Sequence, residues 1–334
     1  PQSRSVSSAT TDGQVVNGNI TLTLTHENGT ATKTITYSDS QYKDGNTELT
    51  VVNKVLTVVF YNIGEPSKLT ASMNGGLPNY DEISIVSDGT NSTPNMQAEP
   101  ESIPVYGETE TFTKSGDVIN DGNTDYVEYD ASINLSIPVA RLEIQIGVGN
   151  TFTGFSTVSL AGAYLDEIKP TANGSITDYY LQYDNSATKK ATSDGNEAYA
   201  ILCDNYFASE GTIGQNALTI LGQNPSTKLP STDTYFAYNF YAGTNPEFKL
   251  CLKVEGNDPN NPIPAIQYAV VNNFTTNGTT PITFEAGKIY KVTNLTLNGN
   301  NIQVDESGEQ LAYALTATVT QASWDVITDV QGSW

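Results

Sequence analysis

The chain has 334 residues, 37 acidic and 15 basic, giving a formal net charge of −22. A length of this order is large for one core, so two domains are the default expectation. No basic stripe or polybasic patch is present, which excludes the usual electrostatic footprint of nucleic-acid binding or of attachment to anionic lipid. The acids are dispersed rather than clustered in a tail, so their plainest role is solubility.

Thr, Asn, Ser, Gly and Tyr dominate, and no amphipathic helical pattern holds beyond about two turns. The expected class is therefore all-β, with many short strands joined by turns. The first strand is expected at Asn19–Thr25, where Ile20, Leu22 and Leu24 alternate with threonines. A Gly/Thr/Asn-containing loop, Glu27 to Lys33, is expected next, then polar sequence to Asn46 with a short strand at Thr34–Tyr37. Lys54–Tyr61 is apolar on both faces and reads as a central strand. Pro66–Glu101 is rich in Gly, Pro, Asn and Ser and reads as long loops.

Strands are then expected at Ser102–Tyr106, Tyr126–Ile137 and Pro138–Val148. In the last of these Leu142, Ile144, Ile146 and Val148 share one face, and Arg141, Glu143 and Gln145 the other. Gly147-Val148-Gly149-Asn150 breaks the pattern, which places a boundary between a first domain, 1–148, and a second, 149–334. The second domain continues with strands at Phe155–Tyr164, Ala198–Cys203, Tyr235–Tyr241, Phe248–Val254, Lys288–Leu297 and Leu311–Val319, then a short one at Trp324–Val330. Six or so strands per half are enough for two tandem β-sandwiches. Chain ends are usually polar, so strand-forming residues running up to Trp334 need a place to be buried, in this domain or in another subunit.

Catalytic and metal signatures are sparse. There is no Gly-x-Ser-x-Gly elbow, phosphate loop or zinc motif, and the single histidine, His26, precedes a turn sequence. It reads as a turn residue rather than a base or ligand. The Asp-Gly-Asn segments at Asp44, Asp121 and Asp194 lack the spacing of a calcium loop and read as turns. No cofactor is expected. Cys203 and Cys251 can form a disulfide only if their strands are neighbours in matching register. The 19 tyrosines fill sheet faces or line a sugar-binding surface. The opening Pro-Gln-Ser-Arg-Ser-Val-Ser-Ser reads as a linker behind a missing leader.

Several segments, in order, resemble the fimbrillins, the pilin subunits of the type V pili of Bacteroidales. Ala322-Ser323-Trp324-Asp325-Val326 followed by Gly332-Ser333-Trp334 looks like the family's ending. Lys288–Leu297 is similar to its late strand, Pro138–Ile144 to the strand that closes its first domain, and Leu56–Asn62 to its early central strand. Asn17–Leu24 looks like the first strand of the unprocessed form. The resemblance implies two tandem sandwiches of transthyretin-like, Greek-key type in a structural subunit that is not an enzyme. It implies export through an outer-membrane lipoprotein precursor to a cell-surface fimbrium that supports adhesion.

It further implies that a trypsin-like protease cuts after a basic residue beyond the first strand, here Lys33, with Arg4 and Lys43 as the other candidates. Loss of the strand carrying Ile20, Leu22 and Leu24 opens a groove, which a strand of another copy or of an accessory pilin fills. The donor expected is about 322–334, with Trp324, Val326, Thr328, Val330 and Trp334 as its key residues. Burial of four or five such side chains contributes on the order of 5–10 kcal/mol before ordering costs. A chain ending at Val319 is expected to stay folded and not to polymerise. A surface glycan-binding protein with tandem sandwiches is the second reading, and needs solvent-facing aromatic residues. A surface receptor is implied by adhesion without being identified, and no nucleic-acid partner is expected.

Overall fold

The computed structural model describes residues 6–8, 10, 13–61, 63–74, 103–120, 125–148, 155–166, 180–182, 187–191, 197–199, 202–205, 219–220, 234–243, 245–256, 266–297, 303–304, 314–318, 320–325 and 329–333. Among these, every regular element is a strand, so the chain is all-β. It divides into two compact units. The first contains residues 11–80, 102–138 and 323–334; the second contains Val139–Ala322 together with the first ten residues. The division after Pro138 assigns the strand Val139–Val148 to the second unit, whereas the sequence pattern placed the break after it.

The first unit holds two sheets. One has the order Val105–Thr109, Pro66–Met73, Ile20–His26, Gly29–Ser38, Gln41–Asp44, Thr47–Leu49. The other has the order Thr113–Asn120, Asp125–Asn134, Asp329–Ser333, Val55–Val59, Val51–Val52. Alternation sets the buried faces: Ile20, Leu22, Leu24, Ile35, Leu69, Ala71 and Met73 from the first sheet, and Leu56, Val58, Ala131 and Ile133 from the second, are all buried. Pro66–Met73, read from sequence as loop, is a strand whose Leu69, Ala71 and Met73 share that buried face. The edges of the first sheet are blunted. Thr47–Leu49 is only three residues long, and Val105–Thr109 carries Glu108, which accepts a 2.6 Å bond from Tyr106 and pairs with Lys68 at 2.9 Å.

Two hairpins in this unit close through two-residue turns with positive φ at both positions. These are Asp39 (54°) with Ser40 (62°), and Asn53 (52°) with Lys54 (66°). The first joins Gly29–Ser38 to Gln41–Asp44 and sets Tyr37 against Tyr42, ring centroids 4.8 Å apart. Tyr42 is 4% exposed.

The second unit has one sheet in which Val6–Ser8, Thr234–Tyr241, Val139–Val148 and Lys288–Leu297 lie in that order. A second sheet runs Leu202–Asn205, Phe155–Asp166, Glu247–Gly256, Ile266–Thr276, Thr280–Pro281, and a small third sheet is formed by Tyr180–Gln182, Ala187–Ala191 and Glu197–Tyr199. Phe236 to Tyr241 are buried on both faces, as befits a central strand. Phe240, Phe274 and Tyr290 surround Phe284 at centroid distances of 5.4, 5.4 and 4.5 Å.

At Arg141 and Glu143 the polar face of Val139–Val148 is covered rather than solvated. Arg141 and Glu143 are 1% and 0% exposed and pair at 2.7 Å. Thr10 donates its backbone N–H and its hydroxyl (2.6 Å) to Glu143, and Arg141 donates to Asn239 at 3.2 Å. A buried carboxylate survives only with such donors around it.

Cys203 and Cys251 lie on strands either side of Phe155–Asp166, opposite Tyr164 and Gly162 respectively. Two strand spacings separate them, about 9–10 Å, beyond the reach of a disulfide. The strands are not the neighbours that a pairing required.

Burial, outweighing a hydrogen bond involving the Gly18 backbone, pushes the Tyr42 hydroxyl up to about 12. A raised folded value holds stability below the unfolded value of 10.0 and loses it as pH climbs towards 12. The first unit is thus expected to weaken by on the order of 2 kcal/mol over that range. Tyr42→Phe is expected to abolish that part of the loss, as measured by urea unfolding against pH.

Candidate functional site

The first strand and the last share one sandwich, one in each sheet. Ile20–His26 sits between Gly29–Ser38 and Pro66–Met73, paired antiparallel to both. Leu22 faces Lys33 on one side and Ala71 on the other; Leu24 faces Ala31 and Leu69. Ile20, Leu22 and Leu24 are at most 1% exposed, and burying three such side chains contributes roughly 1.5–3 kcal/mol each. Taking this strand out would leave two rows of unpaired backbone groups above Ile35, Leu69 and Met73.

Lys33 lies within the strand Gly29–Ser38, not in a loop. The turn is tighter than expected, because Gly29 already pairs with His26. Thr30, Thr32, Thr34 and Thr36 then supply β-branched residues that favour extension. The Lys33 ammonium bonds the Asp44 carboxylate at 2.7 Å and the Val59 carbonyl at 2.7 Å, and lies 5.5 Å from the centre of the Phe60 ring. It therefore ties one sheet to the other. Pairing with Gln41–Asp44 covers only Ile35–Ser38, so the Lys33 peptide lies in the part of its strand that this partner does not reach. Lys43, a second processing candidate, is in the strand Gln41–Asp44 opposite Thr36; Arg4 is outside the described residues.

His26 accepts backbone N–H bonds at Nδ1 from Asn28 and Gly64, both 3.3 Å, and so fastens the turn that follows the first strand. Among the described residues no group of three or more His, Cys, Asp or Glu is placed to hold a metal ion. Asp44, one of the three Asp-Gly-Asn aspartates, is the partner of Lys33; Asp121 and Asp194 are outside the described residues.

The C-terminal strand Asp329–Ser333 fills the middle of the second sheet. It pairs antiparallel with Asp125–Asn134, Val330 opposite Ile133, and parallel with Val55–Val59, Val330 opposite Leu56. Trp324 and Asp325, from the strand Thr320–Asp325, pair in parallel with Gln14 and Val15. Val326, Thr328 and Trp334 are outside the described residues. Of the donor segment expected from sequence, Asp329–Ser333 is thus seated, in this chain, in a sheet of the first unit. The last strand completes a sheet started by residues 55–59 and 125–134, so a chain ending at Val319 has a gap there instead of an intact sandwich.

No protein-family model matches the chain, and no curated protein sequence matches it. Among solved structures it is similar to a protein named for cell adhesion from Bacteroides eggerthii, at 14% identity and TM-score 0.42, covering 98% of this chain and 94% of that one. A second cell-adhesion-named protein, from Parabacteroides distasonis, aligns at 11% identity and TM-score 0.35, covering 96% and 97%. A fimbrial protein from Bacteroides vulgatus aligns at 12% identity and TM-score 0.30, covering 94% and 99%.

Leu22→Ala is expected to cost about 2–5 kcal/mol of first-unit stability, and Thr21→Ala, on the opposite face, within about 0.5 kcal/mol. Urea denaturation of both variants checks this. A chain ending at Val319 is expected to melt below the full chain, and a synthetic peptide of residues 320–334 to raise its Tm. An unchanged Tm on truncation would show that the sheet tolerates the gap.

Proposed function

We propose that this chain is a structural pilin subunit, not an enzyme, that polymerises by exchanging β-strands in a cell-surface fimbrium and supports adhesion. The observation that carries the reading is the seat of Asp329–Ser333, between Val55–Val59 and Asp125–Asn134. A strand from the far end of the chain occupies a slot whose two walls are complete without it. The same strand from another copy fits the same slot, with the same hydrogen bonds and register. Seated in its own chain, it keeps the subunit self-complemented; seated in the next copy, it links subunits.

Protease processing is the trigger in this reading. Cleavage after Lys33 separates Ile20–His26 from the rest of the chain and releases the Lys33 peptide from its covalent tie to Thr34. The Lys33 ammonium leaves with the fragment, and its bonds to Asp44 and to the Val59 carbonyl go with it. Val59 pairs directly with Ser333, so the loss loosens the wall against which the C-terminal strand rests. Processing and strand release are thereby coupled through one side chain. The precursor is read as an outer-membrane lipoprotein, and the partners as further copies, accessory pilins, a trypsin-like protease and a surface receptor.

The test is a reversible lock. Ser132 and Gln331 are Cα partners in an antiparallel pair, a spacing that a disulfide bridges. In a chain with Cys203→Ser and Cys251→Ser, Ser132→Cys with Gln331→Cys is expected to stay monomeric after trypsin-like digestion while oxidised. Reduction is then expected to release a ladder of oligomers on size-exclusion chromatography. Oligomers from the oxidised form would remove the C-terminal strand as donor.

A further inference from the structure

The first unit has a cleft of about 440 Å³, within the size range of small-molecule sites. Three stretches line it: Val15 to Asn17, Tyr37 to Tyr42, and Leu49 to Lys54. We propose that it binds a neutral sugar ring.

The backbone supplies the first argument. The two hairpin turns with positive φ, Asp39-Ser40 and Asn53-Lys54, both border this cleft. Turns of this type favour glycine at the second position, because a side chain there is strained. Elsewhere the chain follows that preference, as at Asn277-Gly278, with φ of 55° and 76°. At Ser40 and Lys54 it keeps a side chain instead, and both side chains line the cleft. Strained residues that converge on one cavity point to a function for their side chains.

The lining supplies the second. Tyr37, partly exposed, presents a ring held in place by the buried Tyr42. Val15 and Val51, 52% and 38% exposed, add apolar surface at the rim. The polar groups are amides and hydroxyls with defined roles. Asn17 Oδ1 accepts from the Tyr42 hydroxyl at 3.4 Å, which leaves its amide N–H groups as donors to the cleft. Gln41 Nε2 donates to Glu48 at 3.1 Å, which leaves its carbonyl as an acceptor. Ser40 and Thr50 add hydroxyls.

Charge selects the ligand. Among the described residues no carboxylate lines the cleft, which gives a cation no anionic partner there. Among the described lining residues Lys54 carries the one ammonium, and in a chain of net charge −22 it does not favour a strongly anionic ligand. A neutral molecule with one apolar face and a rim of hydroxyls matches a ring to stack on, amides of both senses and the hydroxyls of Ser40 and Thr50. That is a hexose or a short neutral glycan. The inference does not depend on polymerisation, since every lining residue belongs to one unit of one chain.

The test uses the purified full chain, uncut, and saturation-transfer NMR with methyl glucoside, methyl galactoside, methyl mannoside, methyl N-acetylglucosaminide and lactose at millimolar concentration. At least one is expected to bind. Tyr37→Ala is expected to weaken that binding about tenfold, the loss of a ring contact of ~1.4 kcal/mol. Ser40→Gly and Lys54→Gly are expected to weaken it several-fold while Tm stays level or rises, because strain is relieved. Absence of signal from all five sugars would overturn the proposal. So would a signal that survives all three substitutions, or a fall in Tm in both glycine variants, which would assign those side chains to the turns themselves.

Discussion

The gap between Val55–Val59 and Asp125–Asn134 is the constraint on which the first unit depends. Both strands bury apolar residues on one face, Leu56 and Val58 in one and Ala131 and Ile133 in the other. Held one strand apart, they present two facing rows of backbone donors and acceptors that cannot reach each other. Only an extended segment can satisfy both rows, and it must run parallel to one wall and antiparallel to the other. Residues 329–333 meet that demand from the far end of the chain, with residues 139–322 belonging to the other unit. The occupant is joined to its seat through a compact unit, so covalent continuity favours it by an effective concentration that the same segment of another copy must match. Loop-closure entropy changes slowly with length, so the contest is set by effective concentration.

The first strand is held quite differently. Ile20–His26 pairs with Gly29–Ser38 through a turn so short that His26 opposes Gly29. Its register is fixed locally, and the His26 ring, accepting from Asn28 and Gly64, pins the turn. Cutting the chain beyond this strand removes a covalent bond but none of the pairing to Pro66–Met73 or the burial of Ile20, Leu22 and Leu24. In the proposed processing, cleavage would change the release of the strand from an intramolecular opening to a true dissociation. The fragment's residence time would then set how long the place beside Pro66–Met73 stays filled. Lys33 stands where these two events meet, since its ammonium touches Asp44 in one sheet and Val59 in the other.

Much of this was legible in the sequence where alternation was strong. Lys288–Leu297 was located to the residue, and Val139–Val148, Asp125–Asn134 and Ile20–His26 to within a few. Pro66–Met73 was hidden by the Pro, Gly and Asn on either side of it, although Leu69, Ala71 and Met73 alternate plainly. Gly29 beside polar residues makes the stretch to Lys33 read as a loop; the four alternating threonines from Thr30 to Thr36 are the better signal, through their β-branching. The destination of the last strand could not be read. Period two reveals that a segment has a face to bury, but every sheet offers the same backbone ladder, and nothing local names the sheet. The burial of Arg141 and Glu143 was equally out of reach. A polar face on a strand reads as solvent-facing until the groups that cover it, here Thr10 and Asn239, are known.

The cleft and the first strand meet in the first residues of the chain. Val15 and Asn17 precede Lys33, so a cut after Lys33 places them, with Ile20–His26, on the fragment that leaves. Asn17 also holds the Tyr42 hydroxyl, and Tyr42 holds the ring of Tyr37. A ligand that touches both Asn17 and Tyr37 therefore binds the state that retains the first strand and not the state that has lost it. By linkage, such a ligand stabilises the first state by RT ln(1 + [L]/Kd), about 1.4 kcal/mol when the ligand is at roughly ten times its Kd. In this arrangement, sugar occupancy would slow the opening of the slot left by the first strand. On the two proposals together, ligand binding and strand exchange would belong to successive states of one chain, with Asn17 and Lys33 on the same segment.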